Sequence, residues 1–227
     1  TSDCRGNLKI FMDEFKKKHG LELRVGTEPE MMWLTKNPDG TPTGKGFSKP
    51  FCYHIDQFES LRPVFMKVIE YANAMGLDMI QGDHEDAPGQ LELNWTFDNV
   101  MRNADRLSTY RQICAQVARE HGLIACFMTK PFMGVSASGC HTNMSLWKGG
   151  KVSVNKLGHK SLPGVEEVFS YVSGGKNTFM PDTKDPQLPG KIGLQSIAGI
   201  MKHLPALTAL GSSTVNSYRR LWDQGFW

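Results

Sequence analysis

No stretch of the 227 residues approaches the roughly 18 consecutive apolar side chains that a membrane-spanning helix needs. The opening TSDCRGNLKIF lacks the charged-then-apolar pattern of an export signal, so neither insertion nor secretion is indicated. Cysteine is scarce as well. Cys4, Cys52, Cys114, Cys126 and Cys140 are odd in number and form no CxxC pair, which argues against a disulfide framework or a zinc knuckle and leads us to expect a reduced, cytoplasmic chain. Basic blocks are missing too: 26 basic and 23 acidic residues are spread along the chain for a formal charge of +3, so nucleic acid is not a favoured partner. There is no internal repeat and no clear interdomain linker. What is present is an ordinary globular composition, 40% hydrophobic and 22% charged, large enough for one sizeable core.

Periodicity then assigns elements. Leu8, Phe11, Met12 and Phe15 fall on one side of an amphipathic helix over residues 8–19 that stops at Gly20. The alternating residues 21–25 predict a strand that runs into Gly26-Thr-Glu-Pro-Glu-Met-Met-Trp and ends in the turn Asn37-Pro-Asp-Gly. A helix is expected over 56–75, beginning later if Pro63 marks its start. Strands at 77–80 and 90–95 flank a loop at 84–89, and a helix follows over 99–121. Strands at 123–129 and 139–147 come next, then long polar loops over 148–190 with one strand near 169–172, and a last helix over 192–203. The class this predicts is α+β: a curved, mainly antiparallel sheet, a partial barrel, with helices on its outer face and a polar concave face holding the site.

Three strands each carry a polar face. Side chains two apart in a strand share a face, so Glu28 projects with Glu30, Gln90 with Glu92 and Asn94, and His141 with Asn143 and Ser145. Leu91, Leu93 and Trp95 point the other way. Carboxylates held this close repel unless a cation or proton sits between them. Four carboxylates and an imidazole brought together suit hard divalent cations such as Mg2+ or Mn2+, a donor set used for phosphate chemistry. Taken singly, Glu28-Pro-Glu30 reads as an exposed acidic edge and His141 as a solvent-facing histidine; their order along the chain is the informative part.

That order resembles the glutamine synthetases. Gly26-Thr-Glu-Pro-Glu30, His84-Glu-Asp-Ala-Pro-Gly-Gln-Leu-Glu92, Lys130-Pro-Phe-Met-Gly134, Ser138-Gly-Cys-His141 and Asn216-Ser-Tyr-Arg-Arg220 occur in the family's sequence with similar spacing, over nearly the whole chain. EDAPGQLELNW, ACFMTKPFMG and STVNSYRRLWDQGFW look most like the branch containing γ-glutamylmethylamide synthetases and related type III-like enzymes. The resemblance implies that Glu30, Glu85 and Glu92 hold one metal ion and that Glu28 and His141 hold a second, together with a further downstream glutamate. It implies that Arg220 binds substrate glutamate and serves catalysis, that Ser136, Ala137 and Gly139 line the amino acid, and that Gln90 stands beside the metals. The family more often has Asn-Gly at 136–137. Ser145 matches a serine near the nucleotide phosphates, and Asn143 stands where many members carry a second histidine.

The reaction implied is ATP-dependent ligation of glutamate to ammonia or a small alkylamine through a γ-glutamyl phosphate. Gly225-Phe226 is followed by Trp227 where ordinary glutamine synthetases place a glutamate, and an apolar ring there favours an alkylamine. A non-catalytic relative that binds glutamate or nucleotide as a regulator or scaffold fits the same motifs. The resemblance also implies stacked rings of identical subunits. It leads us to expect that residues 1–227 are part of a catalytic domain lacking an N-terminal β-grasp domain and a C-terminal portion, and that this piece alone is inactive.

Overall fold

The alternation read at 21–25 continues without interruption to Lys36, because Met31 and Trp33 point into an apolar core while Glu28 and Glu30 point away from it. A computed structural model describes residues 2–44, 52–155, 169–181 and 186–222. In chain order its elements are α1 (Cys4–His19), β1 (Leu21–Lys36), β2 (Pro42–Thr43), α2 (Ile55–Ser60), α3 (Arg62–Ala74), β3 (Met79–His84), β4 (Gln90–Trp95), β5 (Asp98–Asn99), α4 (Val100–Glu120), β6 (Ile124–Cys126), β7 (Cys140–Lys148), β8 (Lys151–Asn155), β9 (Phe169–Ser173), β10 (Lys176–Asn177), α5 (Lys191–Gly211) and α6 (Val215–Trp222). They divide into two compact units of interleaved segments: Thr1–Gly26 with Phe97–Asp105 and Asn143–Leu210, and Thr27–Thr96 with Arg106–Thr142 and Gly211–Trp227.

The second unit holds both hydrophobic clusters found among the described residues. β1 pairs antiparallel with β4, placing Glu30 opposite Glu92, and with β6, placing Met32 opposite Cys126; β3 pairs antiparallel with β4, placing Asp83 opposite Glu92. Met31, Trp33, Leu91, Leu93 and Trp95 cover one face, and on it pack Val64, Phe65, Val68 and Ala72 of α3 and Tyr110, Ile113, Cys114 and Val117 of α4. Helices thus occupy the apolar face and leave the carboxylates on the other, the arrangement expected of an α+β fold. Among the described residues no helix is long and apolar enough to cross a membrane.

In the first unit, α1 is capped by Asp3, whose carboxylate accepts from Gly6 N at 2.9 Å, so the helix starts earlier than its apolar periodicity indicates. Arg5 pairs with Asp105 at 2.7 Å. β1 begins here, Arg24 facing Asn99 of β5; β7 pairs with β10, and β8 with β9. The Arg24 guanidinium lies 4.2 Å from the centre of the Trp147 ring, whose other neighbour is Phe97 at 6.0 Å between centroids.

Several boundaries differ from the periodicity reading. The expected helix over 56–75 is two helices that meet at Leu61, with Pro63 in the first turn of α3, where its missing N–H is harmless. β3 begins and ends later than expected and takes in His84, because ladder pairing with β4 fixes its length and sequence alternation does not. β6 is three residues long, β8 falls where loops were expected, and α5 runs through Pro205 to Gly211, well past the expected end at 203. The Gly225–Trp227 expectation lies outside the described residues. Leu91 is fully buried at the centre of the core, so Leu91→Ala is expected to lower unfolding free energy by about 2–5 kcal/mol, read as a shift of the urea midpoint at unchanged slope.

Candidate metal and substrate site

Register does the first part of the work. Glu30 and Glu92 are directly opposed across β1 and β4, so their side chains leave the same sheet face side by side. β7 then brings His141 to them: one ligand atom each from Glu30, Glu92 and His141 lie within 4.8 Å of one another. His141 Nδ1 stands 3.5 Å from Glu28 Oε2 and 3.8 Å from Glu30 Oε1. Gly139 allows a close approach, since a Cβ there would lie 3.0 Å from Glu30 Oε1 and 3.1 Å from His141 Nε2 and these side chains would have to give way.

The carboxylates are held by donors placed behind them. Gln90 Nε2 donates to Glu30 Oε2 at 3.1 Å, to the Ala137 carbonyl at 3.1 Å and to Ser138 Oγ at 3.2 Å, while Gln90 Oε1 accepts from Ala87 N at 2.8 Å. Gly139 N donates to Glu30 Oε2 at 2.9 Å, and Asn94 Nδ2 donates to Glu92 Oε1 at 2.9 Å. These bonds fix orientation without cancelling the negative charge. Burial raises the Glu92 carboxyl above its ordinary range; the Asn94 hydrogen bond opposes this, and Glu30 and Glu28 add repulsion. Burial, then Glu30, Glu92, Asp83 and Asp86, push Glu85 from near 4.5 up to about 7. Oxygen donors that cannot all ionise together, with one imidazole among them, fit a hard divalent cation.

A cleft of about 490 Å³ opens beside this cluster, lined by Glu30, Cys52, Tyr53, Glu85, Gln90 and Arg220 among others. Arg220 arrives on α6. Thr214 caps that helix, accepting from Ser217 N at 3.1 Å, and Asn216 docks it by accepting from Lys130 N at 2.6 Å and donating to the Lys130 carbonyl at 2.7 Å. Arg220 follows four residues after Asn216, on the same helix face. Its Nε is buried and finds no protein acceptor.

The structure brings Glu28, Glu30, Glu92 and His141 together, and Glu85, Gln90, Ser136, Ala137, Gly139 and Arg220 around the adjoining cleft. The grouping shifts in one respect: His141 joins Glu30 and Glu92 in the tight triplet, and Glu85 stands outside it in the cleft wall. Asn143 and Ser145 belong to the other unit, where Ser145 Oγ accepts from Trp147 Nε1 at 2.8 Å. Sequence reading missed Tyr53, which lines the cleft with a left-handed φ of 60° that no local motif announces. It also missed Asp86, although it sits inside the quoted EDAPGQ motif.

A sheet carrying paired carboxylates over a helical layer, with an arginine-lined cleft beside them, has the donor set that suits a divalent cation next to an anionic ligand. The sequence matches the family described as glutamine synthetase, catalytic domain, over residues 1–227, and the chain belongs to it. It is 36% identical over 208 residues to the glutamine synthetase of Rhizobium leguminosarum bv. phaseoli, covering 90% of this chain and 41% of that protein. It is 31% identical over 224 residues to the glutamate–methylamine ligase of Methyloversatilis universalis, covering 96% and 44%. A solved structure described as apo GmaS without ligand superposes with a TM-score of 0.75 at 30% identity over 96% of this chain and 45% of that one. The chain therefore spans less than half the length of the relatives it matches.

Glu85 supplies a pH dependence. Its folded-state value lies above the ordinary one, so the folded chain keeps a proton that the unfolded chain has released between about pH 4.5 and 7. Stability of the metal-free protein is therefore expected to fall as pH rises through that window, with the full cost present above it. Discounted for its partial exposure, the effect is about 1–2 kcal/mol. Thermal midpoints with and without chelator check this: Glu85→Gln is expected to flatten the metal-free slope.

Proposed function

We propose that this chain forms part of the catalytic domain of an ATP-dependent ligase that joins glutamate to ammonia or a small alkylamine. The observation that carries the reading is the meeting of Glu30, Glu92 and His141 beside a cleft lined by the half-buried Arg220, whose buried Nε finds no partner among the described residues. Names of relatives support both amines, since glutamine synthetases and a glutamate–methylamine ligase are among them.

The cleft has a cationic end at Arg220 and an acidic wall at Glu85 and Asp86, which suits a ligand carrying both charges, as an amino acid does. Arg220 would pair with a carboxylate of glutamate, a charge-assisted contact that fixes which end of the substrate faces the carboxylate cluster. Glu30, Glu92 and His141, with Glu28 and Glu85 beside them, would hold Mg2+ or Mn2+. A divalent cation bound there neutralises phosphate oxygens and lets two anions approach each other. In the first step a γ-carboxylate oxygen of glutamate bonds to the terminal phosphorus of ATP and the bond to ADP breaks. In the second, the amine nitrogen bonds to the acyl carbon, inorganic phosphate leaves, and the nitrogen gives up a proton. Gln90 and Gly139 N keep Glu30 in one orientation throughout, so little reorganisation is needed as charge moves.

Ser145 and Asn143 are the groups we assign to the nucleotide, a hydroxyl and an amide that can hydrogen-bond its phosphates. The stacked-ring assembly of identical subunits belongs to the same proposal.

Turnover tests it. Full-length protein supplied with ATP, Mg2+, glutamate and each of ammonia, methylamine and ethylamine is expected to release ADP only when glutamate and an amine are both present, with the alkylamines preferred. Arg220→Ala is expected to lower kcat/KM for glutamate by about 10- to 100-fold, the worth of a buried charge-assisted contact. No glutamate-dependent ADP release with any of the three amines would sink the reading. Mn2+ titration offers a check that needs no turnover: Glu30→Ala and Glu92→Ala are each expected to weaken binding at least tenfold, whereas equal affinity in wild type and variants would mean the cluster is not a metal site.

A further inference from the structure

Besides Glu30 of β1 and Arg220 and Leu221 of α6, three connecting segments wall the cleft: residues 52–53, the 85–89 turn between β3 and β4, and residues 135–139 ahead of β7. The turn is rigid. Glu85 N donates to the Gln90 carbonyl at 3.0 Å, Gln90 N to the Ala87 carbonyl at 2.9 Å, and Gln90 Oε1 accepts from Ala87 N. Residues 135–139 have no regular structure of their own and depend on ties from outside. The Lys130 ammonium donates to the Val135 carbonyl, Ser138 N donates to the Thr129 carbonyl at 2.8 Å, and Gln90 and Glu30 hold Ala137, Ser138 and Gly139.

Ser136 is tied differently. Its hydroxyl donates to Asp86 Oδ2, and the second oxygen of the same carboxylate accepts from Cys52 Sγ at 3.7 Å. One side chain therefore joins all three walls. The bond from a hydroxyl to a carboxylate is charge-assisted, and Ser136 is only 8% exposed, so its hydroxyl has little water to turn to if the acceptor is removed.

We propose that Asp86 is a positioning residue that latches the 135–139 wall to the 85–89 turn through Ser136, so that the amino-acid end of the cleft is ordered before substrate arrives. A wall already ordered spares the ligand the entropy of ordering it, which appears as affinity. The link to substrate rests on the ligase reading; the latch itself does not.

The experiment compares amide hydrogen exchange in wild type, Asp86→Ala, Asp86→Asn and Ser136→Ala. Exchange at residues 136–139 is expected to be at least about tenfold faster in Asp86→Ala and Ser136→Ala, with the amides of β4 unchanged as a check on folding. Asparagine keeps an acceptor for Ser136, so Asp86→Asn is expected to restore the protection; a merely electrostatic role for Asp86 would leave it as fast as the alanine variant. Calorimetric titration with glutamate then adds the functional arm: binding about 5- to 20-fold weaker in Asp86→Ala and Ser136→Ala, with ATP affinity unchanged. Wild-type exchange rates in both variants, or β4 amides that quicken along with residues 136–139, overturn the latch whether or not glutamate binds. Faster exchange at 136–139 alone in a protein whose wild type binds no glutamate supports the latch and sinks the ligase reading.

Discussion

Everything at the site depends on one electrostatic constraint: Glu30 and Glu92 are locked opposite each other by strand register, Glu92 buried and the Glu30 side chain only 10% exposed. Adjacent strands stand about 5 Å apart, so paired acidic side chains on one face repel unless something positive lies between them. β7 answers with His141, and beside them burial first, then the neighbouring carboxylates, raise the Glu85 carboxyl. Such a face is costly to fold, and a divalent cation is the kind of ligand that would relieve it.

The opposite face offsets that cost. Leu91, Leu93 and Trp95 alternate with Gln90, Glu92 and Asn94, so the strand that presents the carboxylate also supplies three core side chains. Moving the register by one residue would exchange the two sets and destroy the core and the acidic face together. Fold and site are in this sense specified by the same pairing. Gln90 extends the coupling: its amide joins Glu30 to the 135–139 wall, and its own carbonyl oxygen closes the turn that carries Asp86.

How much of this was legible in the sequence depends on the range of the interaction. The alternation of β1 and β4, the Gly20 stop of α1 and the α4 helix were readable because each is set by neighbours in the chain. The end of α5 was not: Pro205 is a local helix breaker, yet the helix runs six residues past it to Gly211. Tyr53 with its left-handed backbone was likewise invisible, since what holds it, a bond from its own N–H to the His84 carbonyl at 2.9 Å, comes from a strand about thirty residues away.

The sequence by itself determined which residues are candidates: the motif order singled out the acidic residues, the histidine, the arginine and the 136–139 loop, and periodicity told which side chains share a face. Only the tertiary structure decided who stands with whom. It put His141 in the triplet and Glu85 in the cleft wall, and it made Asp86 the joint between three segments. The reason is physical: a strand's two-residue period is a local property of the backbone, whereas distances between side chains on different strands and loops follow from register and loop closure, which involve residues far apart in the chain.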